Sequence, residues 1–181
     1  MSDETKKPNP VVHVDDVKFV EHMSGEHWGA AYKPLTPWMT DGGGKLGVNL
    51  NRVPPGRTTC PFHHHTLEDE AFYILSGRGV LRYGDELIEL KAGHCISCPA
   101  GTGTSHQIAN PYEEDLVYLA MGNYEPNEVC YYPDSGKVLV RPLAKVGVER
   151  IGRLTGTEYM DGEPDVPVIF DKIKENKESS Q

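Results

Sequence analysis

The stretch CPFHHHTLEDEAFYILSG, residues 60–77, sets three adjacent histidines ahead of a run of carboxylates and an apolar segment. Side chains on a β-strand alternate between faces, so residues i and i+2 share a face and i+1 takes the other. His63 and His65 can therefore converge on one point while His64 faces away. Of the acids that follow, Glu68, Asp69 and Glu70, only Glu70 opens the next apolar strand in phase with Phe72 and Ile74. A fourth group with the same facing is His106, which begins HQIAN (106–110) in phase with Ile108. An H-x-H pair alone is a common surface feature. The phased carboxylate and the distant phased histidine turn it into a candidate site for one divalent transition metal, with His63, His65, Glu70 and His106 as ligands. Imidazole suits Fe, Zn and Ni, and a carboxylate partly offsets the ion's charge and favours Mn or Fe. Four protein ligands leave one or two coordination positions open for substrate, water or oxygen.

The residues on either side extend the strand pattern. WGAAYKPL (28–35), KLGVNLNRV (45–53), EAFYILS (70–76), GVLRYGDELIELK (79–91), HCISC (94–98), HQIAN and EDLVYLAMG (114–122) are short alternating runs set off by Gly, Pro and Asn. Turns at Ser76–Gly79 and Gly84–Glu86 suggest two successive hairpins. Regular strands without a helical period between them indicate an all-β antiparallel sandwich or barrel. Residues 1–10 read as a disordered tail and 171–181 as a solvated C-terminal tail. That leaves 11–170 as a single domain, with its core barrel at about 45–122. The segment 138–170 reads as edge strands or a wrap around that barrel.

Composition narrows the possible partners. The net charge is −9, with 18 Lys and Arg against 27 Asp and Glu and no basic cluster, which argues against a nucleic-acid partner. No apolar run is long enough to cross a membrane, and the polar N-terminus shows no signal peptide, so the expected location is cytoplasmic. The four cysteines, Cys60, Cys95, Cys98 and Cys130, are expected as free thiols. In CISC the C-x-x-C pair falls on a strand, where residues three apart face opposite sides, so a joint redox or zinc site is not expected.

The same residues carry a family resemblance. GRTTCPFHHHTLEDEAFYILSG resembles the first cupin motif, G…H-x-H-x(3–4)-E-x(6)-G, with Gly56, His63, His65, Glu70 and Gly77 in place. GHCISCPAGTGTSHQIAN resembles the second, G-x(5)-P-x-G-x(2)-H-x(3)-N, with Gly93, Pro99, Gly101, His106 and Asn110 in place. Four residues instead of two separate Gly101 from His106, so that turn must be longer than the motif requires. The resemblance implies a double-stranded β-helix (jelly-roll) barrel with irregular N- and C-terminal extensions. It also implies one metal on the four ligands already identified, and a homodimer.

Two kinds of function suit this pattern. One is a metal-dependent enzyme acting on a small polar metabolite, of dioxygenase, isomerase or decarboxylase/lyase type. The other is a non-catalytic module that binds a sugar or organic acid at the metal. A storage role needs no metal, and all four ligand positions are filled. No catalytic base stands out. Asn49, Asn51, Phe72 and Tyr118 are candidate pocket residues, and Arg57 and Arg82 are candidate partners for an anionic substrate.

Overall fold

In the computed structural model the described residues are 10–148 and 150–179, so nearly all of the expected N-terminal tail lies outside them. The chain order is a 3-10 turn (Val14–Asp16), β1 (Val20–Ser24), β2 (Trp28–Pro34), a short helix α1 (Pro37–Asp41), β3 (Leu46–Val53), β4 (Arg57–Thr58), β5 (His64–His65), β6 (Glu70–Ser76), β7 (Arg78–Tyr83) and β8 (Glu86–Lys91). It continues with β9 (Cys95–Cys98), β10 (His106–Asn110), β11 (Leu116–Asn123), β12 (Val129–Tyr132), β13 (Lys137–Val140), a 3-10 turn (Arg141–Val146), β14 (Ile151–Gly152) and α2 (Val168–Glu178).

The larger sheet runs β8-β7-β10-β4-β2-β3-β11-β6-β9, with β1 added on β2. Leu81 and Leu90, from one end of this order, share a buried cluster with Phe72, Ile74 and Ile96 from the other. The sheet therefore curls until its ends face each other across one core, which is the expected all-β jelly-roll barrel. A smaller sheet, β14-β13-β12-β5, lies beside it. The two meet at His63 and His106, whose backbone N–H groups each donate to the other's carbonyl, at 3.2 and 2.7 Å.

One expected hairpin is real and the other is not. The chain turns at Gly84–Asp85 and pairs β7 with β8 along their whole length. At Ser76–Gly79 it instead crosses between partners: β6 pairs with β11 and β9, and β7 pairs with β8 and β10. A local turn signal cannot tell a hairpin from a corner, because both need the same tight backbone.

The flanks carry β2, which is the expected strand WGAAYKPL, and short edge strands β13 and β14 at the expected segment, but also β1 and β12, which the sequence pattern did not foretell. The N-terminal side supplies β1 and β2, and the C-terminal side supplies β12, β13 and β14 to the smaller sheet. Residues 168–178, most of them read as solvated tail, form α2, which is exposed throughout. Its Lys and Glu residues are good helix formers and make spaced pairs, Lys172 with Glu175 and Lys174 with Asp171. CISC behaves as its phase requires, with Cys95 exposed, Cys98 buried and neither in a disulfide.

Candidate metal centre

The four phased residues meet. From one oxygen of Glu70, Oε2, the Nε2 atoms of His106, His65 and His63 lie at 2.8, 3.3 and 3.7 Å. Each arrives by a different route. His63 is pinned by its backbone bridge to His106, His65 lies on β5 opposite Cys130 of β12, and Glu70 opens β6 opposite Gly122 and Cys98. The turn before His106 absorbs the two extra residues with Gly101 and Gly103, both left-handed (φ 71° and 72°), and His106 enters β10 in phase and buried. Asn110 ends that strand in the core, where its amide donates to the carbonyls of Val53 and Glu114.

The donor set fits a transition metal. Ligand atoms at ~2.1 Å from one ion must lie roughly 3.0–3.4 Å from their neighbours. The separations from Glu70 bracket that range, and His63, Glu70 and His106 offer ligand atoms that all lie within 4.8 Å of one another, with His65 beside Glu70 but outside that group. His65 Nε2, Glu70 Oε2 and His106 Nε2 are buried and none makes an aligned hydrogen bond, and the same holds for Nδ1 on the far side of the His65 ring. Buried polar atoms without partners are costly, and a cation held beside Glu70 Oε2 would offset that cost. His63 Nδ1 donates to the carbonyl of Pro61 at 2.8 Å, which leaves Nε2 as the atom that faces the cluster and would hold an ion once deprotonated.

The electrostatics follow from this crowding. Burial alone would raise the Glu70 carboxyl, but the three imidazoles around it override that and hold it far below the usual carboxylate range. Burial likewise favours neutral His63, yet contacts with Cys60 and Glu70 push it up to about 11. Without an ion the cluster thus holds a proton in place of a metal. His64 faces away as expected: its Nδ1 lies 2.8 Å from Ser105 Oγ and its ring meets Tyr131 edge-on.

A cavity of about 790 Å³ reaches the cluster from the side of Glu70, bordered by Lys45, Asn49, Glu68, Asn123 and Arg141. Asn49 therefore lies where a pocket residue belongs. Asn51, two residues on, sits opposite Tyr118 and Tyr32 on the neighbouring strands. Phe72 and Tyr118 lie in the core instead. Phe72 packs between the rings of His106 and Tyr118, and the Tyr118 hydroxyl donates to Thr59 Oγ1 at 3.3 Å. Neither arginine suggested for an anion is placed for it. Arg57 donates to the carbonyls of Gly25 and Trp28, and Arg82 pairs with Asp134 and stacks on Phe62.

Sequence reasoning missed three residues around the site. Glu68 and Glu128 are buried behind His65, and the half-buried Arg141 pairs with Glu68. Glu68 precedes its strand, and Glu128 and Arg141 are about sixty and seventy residues away, so strand phase carries no signal for them.

This barrel, with its converging histidines and carboxylate, defines a cupin. Residues 49–122 match the family described as the cupin domain, and the chain carries a cupin barrel. An oxalate-binding protein of Thermotoga maritima is 37% identical over 70 residues, covering 39% of this chain and 55% of that one. The chain spans about half the length of the curated relatives it matches. Among solved structures, a candidate sugar phosphate isomerase of Acidithiobacillus ferrooxidans aligns with TM-score 0.56 and 29% identity, over 62% of this chain and 71% of the other. A second protein, from Silicibacter pomeroyi and described as a sugar phosphate isomerase, aligns with TM-score 0.62 and 24% identity, over 87% and 97%. That likeness speaks to the fold alone.

Proposed function

We propose that this protein is a metal-dependent cupin enzyme. It holds one divalent transition ion on His63, His65, Glu70 and His106, and acts on a small, oxygen-rich anionic metabolite. The observation that carries the reading is the approach of buried, unpartnered histidine nitrogens to the unpartnered Glu70 Oε2 at the end of a cavity. A bound ion supplies Lewis acidity at the positions its protein ligands leave open. The chain's own residues do the rest. Glu70 stands where the cavity meets the cluster, and the buried histidines keep that end closed to bulk water. Lys45 and Arg141 on the cavity wall favour an anionic group, although each is engaged by a carboxylate, Glu125 and Glu68 respectively. The names of the Thermotoga and Acidithiobacillus proteins support dicarboxylates and sugar phosphates as the classes to screen. As expected of a cupin, the reading includes a homodimer acting in the cytoplasm.

The test is metal analysis followed by substrate screening. Purified protein should hold about one divalent ion per chain. Turnover of a dicarboxylate or sugar phosphate that stops on chelation and returns with the metal supports the enzyme. The printed name of the Thermotoga relative supports a second reading, a binding module. Tight, metal-dependent retention of an unaltered ligand would select it. Protein that stays metal-free in the presence of Fe, Mn, Zn and Ni rules out both.

A further inference from the structure

β12 lies beyond the segment that matches the cupin family, and it brings a thiol to the histidine run. Its register with β5 sets Cys130 opposite His65 and Tyr131 opposite His64. Side chains alternate along both strands, so Cys130 shares the inner face with His65, while His64 and Tyr131 meet on the other. One step further along, Tyr132 falls against His63, and their rings stack at 5.9 Å. Cys130 is buried and in no disulfide. His63, His65 and Cys130 each offer a ligand atom, all within 4.8 Å of one another. Both ring nitrogens of His65 are buried and make no hydrogen bond.

Two imidazoles and a thiol are a different donor set from the one around Glu70. Thiolate favours zinc and cuprous copper, whereas carboxylate favours the harder manganese ion. A thiolate sulfur and an imidazole nitrogen on one zinc ion lie roughly 3.6 Å apart, a separation this grouping accommodates. We infer that Cys130, with His63 and His65, forms a second, sulfur-bearing site for a thiophilic ion such as zinc, cadmium or cuprous copper. On binding, the thiol proton leaves to solvent and a fourth position stays open. His63 Nδ1 is engaged by the Pro61 carbonyl, so Nε2 is its one free donor and serves one ion at a time. A thiophilic ion therefore withdraws His63 from the proposed centre, and the two sites exclude each other. That competition rests on the proposed centre; the sulfur-bearing site does not. Cys60 also approaches His63, but at 3.8 Å from Nδ1, the nitrogen already engaged. His65, Glu68 and Glu128 form a further grouping, but backbone N–H groups and Arg141 already occupy its carboxylates.

Cadmium NMR of the full chain reads sulfur ligation directly, because a thiolate ligand shifts the resonance far downfield. Wild-type protein given one equivalent of cadmium should show that shift. Cys130→Ser should lose it and bind cadmium about tenfold or more weakly in chelator competition, and Cys60→Ser should keep both. Serine nearly matches cysteine in size, and the wild-type spectrum stands as the primary readout if the variant folds poorly. Cadmium loading should also exclude manganese. A wild-type spectrum without sulfur ligation overturns the site, as does a shift that survives in folded Cys130→Ser. Cadmium and manganese bound together overturn the competition. Thiolate-bound cadmium in a protein that takes up neither iron nor manganese defeats the metal-centre reading and leaves the sulfur-bearing site intact.

Discussion

Gly77 shows how a single position decides the course of the chain. Its φ of 76° is left-handed, and a Cβ placed on it would lie 2.2 Å from the Asp115 carbonyl oxygen. Only glycine relieves both constraints where β6 leaves its partners and β7 begins. Gly77→Ala should cost about 2 kcal/mol or more in urea unfolding. An unchanged midpoint would mean that the crossover relaxes freely. The histidines allow a sharper test, because adjacent positions are assigned opposite roles. His106→Ala should strip most of the metal, and His64→Ala should leave it near the wild-type level. If losing His64 empties the site, the facing of the whole histidine run is misassigned.

The strands differ in how much of their surroundings they encode. β6 was legible because Glu70, Phe72 and Ile74 share a parity that is buried on the barrel side, whereas Tyr73 and Leu75 between them stay exposed. Its partners were not legible, since pairing with β11 and β9 depends on where those distant strands lie. β11 joins the two halves of the larger sheet by pairing with β3 on one side and β6 on the other. Its first residue, Leu116, is fully buried in the core cluster. Leu116→Ala should therefore destabilise the protein by about 2–5 kcal/mol. A loss below about 1 kcal/mol would show that the core can collapse around the missing side chain.

Across the molecule, proton and metal compete for one cluster. His63, pushed up to about 11, contributes stability to the metal-free protein that is fully present below its unfolded value near 6.5 and is lost as pH rises through 11. Glu70, held low, contributes stability that is present above about 4.5 and is lost on acidification. Metal binding needs neutral imidazoles, so its contribution runs opposite to that of His63 and grows with pH. The gap in Tm between metal-loaded and chelated protein should therefore widen from pH 6 to 8, with proton release on binding. A gap that narrows over that interval would exclude His63 as a ligand.

The linear chain already specified an all-β barrel and the convergence of His63, His65, Glu70 and His106. Those features depend on the two-residue alternation of strands and on turn residues, which are local properties. Three others depend on contacts that no local pattern encodes. These are the corner at Gly77, the burial of Phe72 and Tyr118 beneath the site, and the Glu68, Glu128 and Arg141 layer behind His65. Each brings together groups some forty to more than seventy residues apart, and only the curling of the sheet onto itself sets their distances.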